Sequence, residues 1–391
     1  MKNTLRSVLA AALALSASMP AFALQDCELD GKQVNPDNGA TTAGKTGILR
    51  CRDRDSGQLL REQELKNGQY LGLVRHYRNG KLEQEYSVNA RGNRDGRARQ
   101  FDPESGRLLR DETLADSRNV GLAQTFHKNG QRARIGFYAD NGEIRAYADF
   151  NTSGQLSGLL CADRPLLGAQ ADETTWCGFG AREAVVTTLY GNDGNAREKL
   201  SYREGRVVAA ESFWRNGKPQ RRETFDANGG GTEQRYDEQG VKRKETHWLP
   251  SGRGRVKESE QEFHDSGALI HEQRWIDGLL ASERHWYLNG QLREESSFEG
   301  AGGARLRHSK QYHDNGSQAF TGDFRPEGRY NEIPVGVQQR FDAAGRPQQE
   351  STYDERGRLT RQREFDAAGN VTRDDAVFED GSRKAYATPA R

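Results

Sequence analysis

The sequence predicts an all-β protein, an elongated and twisted antiparallel meander of β-hairpin repeats. Three observations carry that prediction. The first is composition. Of 391 residues only 34% are apolar and 29% are charged, whereas an ordinary domain is ~45–50% apolar in a count that also includes Gly. A large single core is excluded, yet 5 Trp, 13 Tyr and 15 Phe are far too many for a disordered chain. The second is periodicity. Glycines fall at 194, 205, 217, 229, 240 and 252 in steps of 11 or 12, and at 345, 357, 369 and 381 in steps of 12. The N-terminal part keeps the same spacing at Gly57, Gly68, Gly80 and Gly92, and at Gly130, Gly142 and Gly154. The third is the phrase around each glycine: an aromatic, a few polar residues, then Gly, as in Trp214-Arg-Asn-Gly217 and Tyr353-Asp-Glu-Arg-Gly357.

Taken in order along the chain, residues 1–23 read as a secretory signal peptide. Lys2 and Arg6 precede the apolar run Val8–Leu15, and Ala21-Phe22-Ala23 supplies an A-x-A cleavage site. A membrane anchor would need about 20 apolar residues. The expected mature chain therefore has no integral membrane segment, and its expected location is the periplasm. Four cysteines follow, Cys27, Cys51, Cys161 and Cys177. An even count in an exported chain reads as disulfides. Three pairings are open, among which spacing favours Cys27–Cys51 and Cys161–Cys177. Zinc is the rival reading, supported by no CxxC and no nearby His pair.

The expected organisation is an N-terminal disulfide-stapled cap over residues 24–56, repeats over 57–158, a disulfide-stapled insertion loop over 159–180, and repeats over 181–391. A second irregular stretch, read as an insertion accommodated in a loop, lies near 324–337. Each repeat has a simple physical reading. Asn-Gly and Asp-x-x-Gly before a strand-like run are hairpin signals, because Gly takes the positive φ of a tight turn. Runs such as Leu292–Phe298 between turns suit a strand ~23 Å long. Strands joined this way pair antiparallel in sequence, on the order of 25 of them stacked one repeat upon the next. The aromatics before the turns are expected to stack as a ladder along one face. Arg and Glu on the strands are expected to form solvated cross-strand pairs. His127, His264 and His313, next to turns, read as solvated.

The segment Gly72–Arg97 resembles the MORN-repeat variant found in bacterial proteins often labelled as antitoxins. Gly72, Gly96 and Gly121 recur at 24 and 25 residues, in step with Tyr77, Phe101 and Phe126. The resemblance extends over nearly the whole mature chain from about residue 47 and implies MORN-like β-hairpin repeats. Locally, Tyr353–Thr360 and Phe365–Thr372 are similar to the YD repeats of large toxin-encapsulating shells, although this chain is too short to close a shell.

Lys+Arg 58 against Asp+Glu 57 gives no support to nucleic-acid binding. No HExxH, GxSxG, phosphate-binding loop or catalytic-Cys context is present. The expectation is a protein that is not an enzyme, without catalytic residues, metal or cofactor. Export, an ordered surface without chemistry and the antitoxin resemblance together point to a monomeric immunity protein. Its partner would be a secreted toxin or effector, lipase-like or wall-degrading. The alternative is a structural or envelope-associated scaffold. Within the stapled loop, Leu166, Leu167 and Trp176 are the expected partner-binding side chains.

Overall fold

The structure, a computed structural model, describes residues 25–252, 254–300, 305–328 and 331–385. The expected signal peptide and its cleavage after Ala23 lie outside them. Among the described residues, thirty strands and two helices of 4 and 5 residues make up the regular structure. They fall into two compact units, Met1–Gly154 and Gln155–Arg391. Both are antiparallel meanders, as the turn spacing predicts.

Two turn types generate most of the spacing. In the commoner one, Trp214 N–H donates to Lys218 O and Gly217 N–H to Trp214 O, each at 2.9 Å. The strand register shifts beside it, between Ser212 and Phe213. This is a tight turn closed by a left-handed residue and a bulge, which requires φ > 0 at its last position; Gly217 has φ of 79°. The rarer type is a two-residue turn with both φ positive, as at Asn67-Gly68, Glu204-Gly205 and Asp277-Gly278. The 11-residue steps that end at Gly68, Gly205 and Gly278 are these shorter turns.

In the first unit the chain enters at Gln25–Leu29, which pairs with both Lys32–Val34 and Gly47–Asp53. Successive strands then add up to Ile144–Phe150, with the short Arg118–Asn119 folded back on Leu108–Ala115. One face carries Leu29, Leu49, Gln63 and Val74 as cross-strand partners. Cys27, Val34, Cys51 and Leu65 close round the first of these as an apolar core, with Tyr70 packed against it. Leu49 and Leu65 are fully buried, each contributing about 1.5–3 kcal/mol of apolar burial. The opposite face is an alternating charged row: Glu28, Arg50, Glu62, Arg75, Glu85, Arg99 and Asp111 are successive partners across seven strands.

In the second unit a 17-strand sheet runs from Val185–Tyr190 to Arg383–Ala385, every strand pairing with its sequence neighbours. Its central row turns polar after Ala210. Glu223, Glu233, Thr246, Glu260, Gln273, Glu283, Ser296 and Ser309 are successive partners. Glu223, Glu233, Thr246, Ser296 and Ser309 are buried.

Three expectations are corrected. The stretch near 324–337 is not an inserted loop. It is a longer hairpin, Gln318–Glu327 against Asn331–Phe341, paired from Phe320↔Arg340 to Glu327↔Asn331. Its extra length hid the usual spacing. Among the described residues the turn-flanking aromatics do not form a ring-on-ring ladder. Turns on one edge recur every second strand, ~9.5 Å apart at ~4.8 Å per strand, beyond the ~4.5–7 Å at which rings stack. Long cations fill the gap: Lys242 lies 4.2 Å from the Phe263 ring centre, Arg307 4.4 Å from Phe324 and Arg222 5.3 Å from Tyr236. Finally, His127 and His313 are half-buried tethers. Their Nε2–H groups donate to Phe150 O at 2.9 Å and Phe341 O at 3.1 Å. Trp214 and Tyr287 reach Tyr236 O and Tyr312 O in the same way.

Candidate functional site

The segment expected as a protruding contact loop is folded down onto its own sheet. Cys161 is bonded to Cys177, and in the first unit Cys27 to Cys51, the pairing that spacing favours. Between Cys161 and Cys177 the chain wraps one buried carboxylate. Glu173 Oε2 accepts the N–H groups of Leu166 at 2.7 Å and Leu167 at 2.8 Å, and Glu173 opens the short helix Glu173–Cys177. Backbone approach then ties the segment to the Glu204-Gly205 turn. Gly205 N–H donates to Cys177 O at 2.9 Å, and a Cβ on Gly205 would overlap the Ala162 carbonyl oxygen. Thr187 Oγ1 donates to Trp176 O at 2.7 Å.

Leu167 is 1% exposed. That corrects its expected role: a side chain so fully buried offers a partner nothing. Leu166 and Trp176 are half-buried. Sequence reasoning missed Glu173. Its only sequence signal was an acid at the start of a helix too short to be read, which looks like ordinary surface charge.

The strand faces carry the remaining chemistry. In the charged row of the first unit, Arg75 pairs with Glu62 at 3.4 Å and Glu85 at 2.7 Å, and Arg99 with Glu85. Burial pushes Glu62 up, but hydrogen bonds from Tyr77, Arg50 and Arg75 outweigh it and hold the carboxyl below its ordinary value. The Tyr77 hydroxyl is pushed up to about 12 by burial and by its bond to Glu62. The second unit repeats the device. Burial pushes Glu233 up while Arg235 and Arg221 bring it down further, and Lys257 and Lys244 do the same for Glu260. Asp374 is lowered by its hydrogen bonds with Arg361.

One cluster differs in turning two imidazoles toward a single carboxylate. His271 and His285, cross-strand partners, hold their rings 4.3 Å apart and 7° from parallel. Glu283 lies two residues before His285 on the same face. The sequence signal was Glu-x-His on one strand, silent without the partner strand's register. Burial and the neighbouring His271 push the His285 pKa down.

Comparison with known proteins fits this geometry. Residues 281–299 match the MORN repeat variant family. The chain carries a MORN-type repeat. The matched stretch covers the strand Leu279–Trp286 from its third residue, the turn at Gly290 and the strand Leu292–Glu299. No curated protein matches the chain. Among solved structures, TcdB2-TccC3 without its hypervariable C-terminal region is similar at 12% identity with a TM-score of 0.14. The alignment covers 88% of this chain but spans only 22% of that one. A putative 6-phosphogluconolactonase from Bacteroides uniformis is similar at 14% identity, TM-score 0.14, over 90% of this chain and 94% of its own. At such scores neither likeness carries an argument about function. The MORN-type repeat points to a repeat protein that takes part in protein binding.

Proposed function

We propose that this chain is a periplasmic immunity protein, which binds a secreted antibacterial effector of lipase-like or wall-degrading activity and neutralises it as a monomer without catalysis of its own. The observation that carries this reading is the MORN-type repeat at 281–299 set in a sheet whose faces alternate Arg, Glu and half-buried aromatics. Arg, Tyr and Trp are the side chains that dominate protein-interface energetics. Rigid strands present them with little ordering cost on binding. The two disulfides suit an exported protein. Leu166 and Trp176 remain candidate contacts at the stapled segment.

The test is periplasmic expression of a candidate effector encoded beside this gene, with and without this chain. Restored growth and a co-eluting complex are expected. Continued lysis at equal expression, with no complex on a sizing column, overturns the reading for that pair.

A further inference from the structure

We propose that His271, His285 and Glu283 form a binding site for a divalent transition metal of the zinc class, with room for a fourth ligand from solvent. The two histidines are direct partners on neighbouring strands. Their rings lie nearly parallel at 4.3 Å and both turn Nε2 toward Glu283 Oε1; each ring has to tilt for the two in-plane lone pairs to meet on one ion. Glu283, two residues before His285, leaves the same face of the sheet. Its Oε1 lies 2.7 Å from His271 Nε2 and 3.6 Å from His285 Nε2. One ligand atom from each of the three residues lies within 4.8 Å of the others.

Zinc ligands on bonds of ~2.0–2.1 Å in a tetrahedral site sit about 3.3 Å apart. The two carboxylate–imidazole distances bracket that value. Elsewhere the lone His308 meets acids only, 2.7 Å from Asp323 and 3.7 Å from Glu299. Here a second imidazole is aimed at the same carboxylate oxygen. Such a donor set of two imidazoles and a carboxylate suits Zn²⁺, Cu²⁺ or Ni²⁺ and not the all-oxygen preferences of Ca²⁺ or Mg²⁺.

The surroundings also fit. Glu262 Oε2 lies 3.6 Å from His271 Nδ1 and is itself held by Lys244. A carboxylate behind a metal-binding histidine sets its tautomer and ring orientation. Gln273 Nε2 donates to Glu283 Oε1 at 3.0 Å, which orients that carboxylate. The three side chains are 20%, 28% and 26% exposed for His271, His285 and Glu283. An open groove of about 420 Å³ borders both histidines, so an ion has a path in from solvent.

The experiment uses the full mature chain, free of any histidine tag and stripped with EDTA, titrated calorimetrically with Zn²⁺ alone. A parallel Co²⁺ titration reads ligand-field absorption. Expected are one ion per chain and cobalt bands of a low-coordinate site, both lost in His285→Gln. Glu262→Gln should keep the stoichiometry and weaken binding roughly 10–100-fold, because it acts through His271. His247→Gln, at a different histidine, should change neither. Thermal transitions in EDTA check that each variant folds; if His285→Gln does not, Glu283→Gln takes its place. Absence of zinc binding by the unaltered chain, or binding unchanged in the folded ligand variants, overturns the proposal.

Discussion

The first unit and the greater part of the second are built by the same turns and the same pairing, yet they bury different things. The first buries Leu29, Leu49, Leu65, Val74 and Ile135, with Gln63, Asp102 and Glu112 among its polar exceptions; beyond Glu211 the second buries Glu223, Glu233, Thr246, Glu272, Ser296, Ser309 and Asp375, with Phe320 and Val335 as its apolar exceptions. Each unit carries one disulfide: Cys51 sits in an apolar core with Leu49 and Leu65, and Cys177 is buried, as are Leu167, Leu189 and Tyr202 of the second unit. Turn chemistry and hydrogen-bonded strands therefore set the meander, while its interior can be filled either by hydrocarbon or by paired charge. The two fillings should answer differently to acid, truncation and reduction. All 5 Trp lie in the second unit, so tryptophan emission reports on that unit alone.

Acid should separate the two most. The pKa values of Glu233, Glu245, Glu260, Glu272 and Asp374 are all lowered in the fold. A lowered folded pKa means that the unfolded chain takes up protons first as pH falls. The stabilisation from these groups is complete above the ordinary carboxylate range, about pH 4–4.5, and is lost as pH drops through the folded values. Glu62 and Glu85 in the first unit behave alike, but the row Leu29, Leu49, Gln63 and Val74 on the opposite face does not titrate. Tryptophan emission should show the second unit unfolding below about pH 4, while amide exchange over 47–65 stays protected. Simultaneous loss of both would break the comparison.

Truncation of the apolar core comes next. Leu65→Ala should cost about 2–5 kcal/mol in denaturant unfolding of the first unit, through lost transfer energy and a cavity, and leave tryptophan emission unchanged. Removing the second disulfide, which spans 16 residues, by Cys161→Ser with Cys177→Ser should cost roughly 3 kcal/mol in the chain-entropy reading. Because Leu167 and Cys177 are buried, that loss should appear in the tryptophan-detected transition. An unchanged midpoint would mean that the segment is an independent loop after all.

Backbone and hydroxyl changes are smaller. Gly217→Ala meets no neighbour within 4 Å, so its cost is the left-handed backbone alone, about 1–2 kcal/mol. Ser309→Ala removes one buried hydrogen bond, Oγ to Glu294 at 3.1 Å, and should cost about 1 kcal/mol. If Ser309→Ala proved as damaging as Leu65→Ala, the polar row would be a core in the same sense as the apolar one, and the contrast would fall.

Much of this protein was legible in one dimension because its information is local. A tight turn needs its glycine at one position, so the spacing of Gly194 to Gly252 and of Gly345 to Gly381 located the hairpins. Nearby cysteines in a meander meet on adjacent elements, so spacing also favoured the observed disulfides. Where information depends on register, the sequence was silent. The hairpin at 318–341 escaped the usual spacing because its strands are longer. The aromatics were expected to meet, but rings on the same edge are two strands apart, and only three dimensions show Lys242 or Arg307 filling that distance. Leu167 looks like an exposed anchor until Glu173 gathers its backbone and buries it. His271 and His285 are 14 residues apart in the chain and become partners only because the turn at Asp277-Gly278 sets which residues face each other. A turn is written by the few residues that form it. Which side chains share a face across strands is decided by pairing and bulges, and no short stretch of sequence contains that.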